Sequence, residues 1–161
     1  MFWRNRTEPR RLSAGELLAA QAVFCDAIDW HRVRLHARPF IWLQPRGTAV
    51  SPNGAIYFHA ADHLTDFSGE WRAMAWLIHE LTHVWQHQSG QWVIPRGLWE
   101  RRYRYGLIDP RRPLARWGIE QQAAIIEDWF RLTQGQTPWR GSGSVADYRA
   151  VIPFLPAGAN R

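Results

Sequence analysis

Residues 66–90 read DFSGEWRAMAWLIHELTHVWQHQSG, and this stretch carries the strongest helix signal in the chain. Its apolar side chains recur at helical spacing and form one core-facing stripe, composed of Trp71, Met74, Ala75, Ile78, Leu81 and Trp85. Ser68 is the predicted N-cap, and Gly90 is the predicted end of the helix. The middle of the helix also carries ionisable side chains, which cost free energy when buried unless a partner or a ligand uses them.

Three of these side chains, His79, Glu80 and His83, form an HExxH motif. Residues four apart lie on one helical face about one turn apart, so both imidazoles can bind one zinc ion. Glu80 lies beside them and can act as a general base. The competing interpretation is two packed histidines that flank a glutamate, which would leave several buried donors and acceptors to satisfy. The motif therefore predicts a zinc site with His79 and His83 as ligands and Glu80 as a catalytic residue.

A third protein ligand must come from outside the motif. His87 continues the spacing, but it lies roughly 12 Å along the helix axis from the first histidine, too far for one ion. The longer HExxHxxGxxH arrangement is absent, because Gln86 and Ser89 occupy its glycine and last histidine positions. Upstream, His59 and His63 are more simply interpreted as polar residues at the end of a strand and in a loop.

The sequence GIEQQAAIIEDWFRLT at 118–133 predicts a second helix that can supply this ligand. Its two central alanines are small and allow it to approach the first helix closely. Glu120 is the favoured third ligand, because it lies in the first turn, where the helix dipole also favours a carboxylate. Glu127 is the alternative. Asp128 is either a hydrogen-bond acceptor that orients a ligand histidine or a surface charge.

The remaining segments predict an α+β fold, in which a small sheet lies beside the two metal-bearing helices. A helix is expected over 12–28, where Ser13 and Glu16 form a capping box. Residues 32–44 alternate in part and predict one or two strands, and 55–58 predict a strand after an Asn-Gly turn. A short helix is expected near the C-terminus.

The chain has 161 residues, the size of one ordinary domain. We expect a basic N-terminal arm at 1–11 followed by a single zinc metallopeptidase domain at 12–161. Within that domain, the composition of 135–144, GQTPWRGSGS, predicts a flexible connection.

The net charge is +6, and all 20 cationic residues are arginines, since the chain has no lysine. The arginines are scattered and form no basic helical stripe, which argues against nucleic-acid binding. Eleven tryptophans must pack in a core or line a cleft. Cys25 allows no internal disulfide and is interpreted as a small buried hydrophobic residue. No apolar run is long enough for a membrane span, and the polar N-terminus lacks the apolar region of a secretory signal.

Several segments together resemble the zinc metallopeptidase toxin domains of type VI secretion VgrG-type spike proteins and Rhs-associated proteins. They are AWLIHELTHVWQHQSG, YRYG and WGIEQQAAIIEDWF, with VFCDAIDWHRVRL and AVSPNGAIYF upstream. The resemblance covers roughly residues 10 to 132. It implies a zincin-like, gluzincin-type fold with His79, His83 and Glu120 as zinc ligands and Glu80 as general base. The family pattern also implies glycine at position 25, where this chain has Cys25.

The expected reaction is zinc-dependent hydrolysis of peptide bonds by a secreted antibacterial effector. Tyr103 and Tyr105 are candidates to stabilise the oxyanion, with aromatic packing as the alternative interpretation. The substrate is either protein or the peptide stem of peptidoglycan, in which case the protein is an amidase or endopeptidase. A zinc-stabilised binding module without turnover is the third hypothesis. The resemblance implies delivery by a contractile secretion system into the periplasm or cytoplasm of a target cell, with a spike protein and an immunity protein as candidate partners.

Overall fold

A computed structural model describes residues 8–91 and 103–155. Most of the predicted N-terminal arm, residues 1–7, therefore lies outside the described residues. The described helices are α1 (Ala14–Phe24), α2 (Trp71–Gln88), α3 (Ile119–Thr133) and α4 (Val145–Val151). The described strands are β1 (Leu35–His36), β2 (Ala49–Val50), β3 (Ile56–Phe58), β4 (Gly106–Leu107) and β5 (Gly141–Ser142). This mixture of helices and small sheets agrees with the predicted α+β class.

Helix α2 is buried over most of its length and packs closely against α3. The predicted stripe is largely buried, and Ala123 and Ala124 of α3 are fully buried, as close packing of the two helices requires. The N-cap differs from the prediction. Glu70, not Ser68, caps α2, because its carboxylate accepts hydrogen bonds from the amides of Arg72 and Ala73. The amide and hydroxyl of Ser68 instead donate to Asp66.

Helix α1 begins at the predicted capping box of Ser13 and Glu16. The carboxylate of Glu16 is fully buried and also accepts hydrogen bonds from both terminal nitrogens of Arg10, at 2.7 and 2.8 Å. A further bond comes from the amide of Phe67, at 2.8 Å. This one carboxylate therefore connects the N-terminal segment, the start of α1 and the loop that precedes α2.

The first sheet has the strand order β1-β3-β2, with β3 parallel to β1 and antiparallel to β2. The predicted strand after the Asn-Gly turn is present as β3. Gly54 adopts φ 81°, and any side chain there would meet the ring of His87 on α2. Within 32–44, only β1 forms. Residues 40–43 form turns with exposed apolar side chains, and Trp42 is 87% exposed, because no neighbouring strand pairs with them.

The second sheet pairs β4 with β5 in parallel and fixes part of the segment 135–144. The composition predicts a flexible connection there, but the structure gives it β5 and two amide hydrogen bonds to Asp128, from Trp139 and Arg140. Gly141 is required at this point, because a Cβ atom would overlap the ring of Tyr105. Helix α4 follows, capped by the side chain of Ser144.

Cys25 ends α1 with φ 50°, a backbone conformation that favours glycine, and it is half-buried rather than buried. This conformation gives a physical reason for the glycine that the family pattern implies at position 25. Among the described residues, no helix is both long and apolar enough to cross a membrane.

We predict that Glu16→Gln lowers the free energy of unfolding by about 3 kcal/mol, since it leaves the Arg10 guanidinium buried in part without its anionic partner. Urea denaturation followed by circular dichroism measures this. Glu8→Gln, at an exposed glutamate nearby, should change the free energy by less than about 0.5 kcal/mol. Equal stability of the two variants would contradict the role assigned to Glu16.

Candidate metal centre

The interface of α2 and α3 brings together the three residues predicted as metal ligands. Oε2 of Glu120 lies 3.3 Å from Nε2 of His79 and 3.3 Å from Nε2 of His83. The three ligand atoms all lie within 4.8 Å of one another. Helical spacing places the two histidines on one face of α2, and the first turn of α3 presents Glu120 to them.

The spacing of these atoms suits one tetrahedral zinc ion. Ligand atoms about 2.1 Å from one ion at tetrahedral angles lie about 3.4 Å from each other. The donor set also fits, since two imidazoles and one carboxylate are common zinc ligands. The residues present could therefore hold a zinc ion.

Each imidazole is held by a hydrogen bond on its other ring nitrogen. Nδ1 of His79 lies 3.1 Å from Oε2 of Glu127, and Nδ1 of His83 lies 2.8 Å from Oε1 of Gln86. Both acceptors keep the proton on Nδ1 and leave the Nε2 lone pairs for a metal, as is usual for histidine ligands. Gln86 is itself held, because its amide donates to the carbonyl of Ile119 and to Gln122, each at 3.0 Å.

The carboxylate that holds His79 in orientation is Glu127. The interpretation that gave this role to Asp128 is wrong. Glu127 contacts Nδ1 of His79, whereas Glu120 faces Nε2 of the same ring, so the two glutamates meet different nitrogens. Asp128 is fully buried, so it is not a surface charge either. Its carboxylate turns away and accepts hydrogen bonds from Tyr105 and from the amides of 139 and 140.

The pKa values of the cluster reflect its buried charges. Burial raises the pKa of Glu120, but hydrogen bonds to His79 and His83 outweigh burial and lower it to about 2. Burial lowers the pKa of His79, but the carboxylates of Glu120 and Glu127 outweigh it and raise the pKa to about 10. Burial is likewise outweighed at His83, whose pKa is raised mainly by Glu120. The carboxylates therefore favour positive charge at both Nε2 atoms, which protons or a metal cation can supply.

Glu80 is buried beside the ligand histidines, and burial raises the pKa of its carboxyl group. The hydroxyl of Ser51, which directly follows β2, donates to Oε2 of Glu80 at 3.0 Å. The sheet thereby holds one oxygen of the carboxylate in position. Glu80 and His79 both line a cavity of about 590 Å³.

Of the two tyrosines predicted near the reaction, only Tyr103 lines this cavity among the described residues. Its ring centroid lies 6.0 Å from that of His79. Tyr105 is buried, and its hydroxyl donates to Asp128 at 2.6 Å and hydrogen-bonds to Tyr148. Tyr105 therefore does not line the cavity, and its hydroxyl is hydrogen-bonded to Asp128 and Tyr148 instead.

The other histidines lie away from the cluster. His59 accepts a hydrogen bond from the amide of Ala61, and His63 contacts Arg10. His87 is exposed at the end of α2. These positions agree with the roles that the sequence indicated for them.

Sequence reasoning missed Ser51, Gln86 and the arginines on the cavity wall. Gln86 carried a usable signal, because it lies three residues after His83 on the same face. No local signal pointed to Ser51, which meets Glu80 only through the packing of the sheet on α2.

No protein-family model matches the sequence. The chain is 37% identical, over 130 residues, to the type VI secretion system spike protein VgrG2b of Pseudomonas aeruginosa. That match covers 75% of this chain and 13% of the spike protein. The fold is also similar to that of the solved effector domain of Pseudomonas aeruginosa VgrG2b, with a TM-score of 0.72 and 35% identity. This likeness covers 81% of this chain and 78% of that domain.

We predict that His79→Ala combined with His83→Ala abolishes stoichiometric zinc binding, since it removes two of three ligand atoms. Elemental analysis of the purified protein measures the zinc content. His87→Ala, at an exposed histidine of the same helix, is the matched control and should bind zinc as the wild type does. Full zinc content in the double variant would exclude this site.

The two glutamates of α3 should differ in their effect on metal affinity. Glu120→Gln removes the charged ligand atom and should weaken zinc binding by more than 100-fold. Glu127→Gln keeps an acceptor for Nδ1 of His79 and should weaken it by no more than about 100-fold. Competition with a chromogenic chelator measures both affinities, and the reverse order would show that Glu127 is the ligand.

Proposed function

Since this chain belongs to the family of the VgrG2b effector domain, we propose that it is a zinc-dependent metallopeptidase with a zincin-like active site that acts as a type VI secretion effector. One observation carries the chemical part of this proposal. The candidate metal-binding atoms of His79, His83 and Glu120 converge near the carboxylate of Glu80, and His79 and Glu80 line a cavity large enough for a peptide segment.

A bound zinc ion would supply Lewis acidity, which polarises a carbonyl group and makes water more acidic. His79, His83 and Glu120 would hold it, and the bonds from Glu127 and Gln86 keep both imidazoles in the required tautomer.

Glu80 is the general base of the proposed reaction. Burial raises the pKa of its carboxyl group, which brings it closer to the range in which a carboxylate can both accept and return a proton near neutral pH. Glu80 takes a proton from the attacking water and passes it to the leaving amine. Ser51 holds one of its oxygens, so the other remains available for this transfer.

Tyr103 is the proposed residue that stabilises the oxyanion, because it lines the cavity beside His79. A hydrogen bond from a preorganised donor to the developing negative charge would lower the barrier. Tyr105 is a positioning residue in this scheme, since its hydroxyl is bound to Asp128.

The substrate class is peptide, supplied by a protein or by peptidoglycan stems. A purely structural zinc site normally has four protein ligands. In the described part of the chain the cluster offers three, which favours an enzyme over a binding module. The relative is by name a spike protein, so we propose delivery by the type VI apparatus, with a spike protein and an immunity protein as partners and the periplasm or cytoplasm of the target cell as the site of action.

We predict that Glu80→Gln retains zinc and the fold but loses hydrolysis by about 10²–10⁴-fold, because an amide cannot accept the proton. Cleavage of casein and of purified peptidoglycan, followed by mass spectrometry, gives both the rate and the substrate class. Zinc content and melting temperature of the same sample are the internal controls. A Glu80→Gln protein that remains fully active would exclude this mechanism.

A further inference from the structure

We propose that three arginines on the cavity wall, Arg72, Arg131 and Arg140, form an anion subsite that binds a carboxylate of the peptide substrate. All three line the same cavity as His79 and Glu80. The inference rests on the proposed function, because it names the substrate that the peptidase would select.

Arg140 is the central residue of this subsite. Its guanidinium carbon lies 3.7 Å from the ring centroid of Trp139 and 5.0 Å from that of Tyr103. Its Nε atom is buried and has no hydrogen-bond partner among the described residues. Such an unsatisfied charged donor is costly unless a ligand completes it.

The positive charge of the wall is not neutralised locally. Among the described residues, neither Arg72 nor Arg140 forms an ion pair with a carboxylate. Arg131 lies 3.7 Å from Asp128, but that carboxylate already accepts three other hydrogen bonds. An excess of positive charge therefore faces the cavity beside Trp139.

The subsite and the metal centre are anchored to the same turn of α3. Asp128 accepts hydrogen bonds from the amides of Trp139 at 2.6 Å and Arg140 at 2.9 Å. The preceding residue, Glu127, holds His79. Asp128 is thus a positioning residue that sets the backbone of Arg140 relative to the metal ligands.

The distance between the two sites suits one peptide. Tyr103 is near both, with its ring centroid 5.0 Å from the guanidinium of Arg140 and 6.0 Å from the ring centroid of His79, so these two groups lie at most about 11 Å apart. An extended peptide advances about 3.3–3.6 Å per residue, so a carboxylate bound at Arg140 would lie on the order of one to three residues from the scissile bond.

A carboxylate is the anion that an unmodified peptide can offer to a guanidinium, which binds it through paired N–H donors. It can come from an acidic side chain or from a free C-terminus. Two carboxylates share the cavity, Glu80 and Glu127, but neither forms an ion pair with an arginine among the described residues.

The test measures peptide binding without turnover, by isothermal titration calorimetry with zinc-treated Glu80→Gln protein. The probes are acetyl-Ala-Glu-Ala-Ala-amide, its glutamine analogue as the amide, and that analogue with a free C-terminal carboxylate. At least one acidic probe should bind about 10- to 100-fold more tightly than the neutral one. The probe that gains affinity identifies the source of the carboxylate.

In the same Glu80→Gln protein, the second substitution Arg140→Gln should abolish this preference for the acidic probe. Arg140→Lys in its place should retain part of the preference, since lysine keeps the charge but not the paired donors. Arg149→Gln is the matched control, because Arg149 also lies over a tryptophan, 5.6 Å from the ring of Trp129, but does not line the cavity. Equal affinity for all three probes, or a preference that survives Arg140→Gln, would overturn the subsite. If wild-type protein cleaves acidic and neutral peptides equally, the subsite is overturned but the peptidase proposal stands. If wild-type protein cleaves no peptide while binding still depends on Arg140, the peptidase proposal fails but the subsite stands.

Discussion

The close packing of α2 against α3 is the constraint on which the rest of this structure depends. It buries His79, His83, Glu80 and Glu127, with Glu120 partly buried beside them, in a region where unpaired charges are costly. Fully buried Ala123 and Ala124 permit the approach, and the hydrogen bonds of Glu127 and Gln86 satisfy the imidazoles from behind. The acceptor atoms that face one another between the helices then require protons or a cation. A candidate metal centre is therefore a consequence of how these two helices meet.

Helix α3 supplies three acidic residues with three separate tasks. Glu120 faces both histidines, Glu127 holds the outer nitrogen of His79, and Asp128 holds the segment that carries Trp139 and Arg140. Adjacent positions on a helix point about 100° apart, so Glu127 and Asp128 face different neighbours. One turn of α3 thereby fixes the relative positions of His79, a candidate metal ligand, and the cationic wall of the cavity.

The charged cluster contributes little to the net stability of the molecule, because the cost of burying charges offsets the gain from pairing them. The apolar core of α1, β3 and α2 fills that role, and the buried carboxylate of Glu16 joins the N-terminal segment to it.

Local sequence patterns were sufficient for the helices and for the residues that face the metal position. The 3.6-residue period decides which side chains share a face, so the pairing of His79 with His83 follows from spacing alone. The capping box of α1 is likewise local.

What the pattern alone could not decide is which partner meets each polar side chain across the fold. Glu70 replaced Ser68 as the cap of α2, Glu127 rather than Asp128 met His79, and Tyr105 turned to Asp128. The pattern left open whether 32–44 forms one strand or two, and the structure forms one, since an apolar run becomes a strand only where a neighbouring strand offers backbone partners. Sequence thus determined the helices and the pairing of His79 with His83, because both depend on neighbours within about four residues. Tertiary structure decided the contacts that Ser51, Arg131 and Arg140 make at the cavity, because these residues come from distant parts of the chain and meet only when the sheet, α2 and α3 pack together.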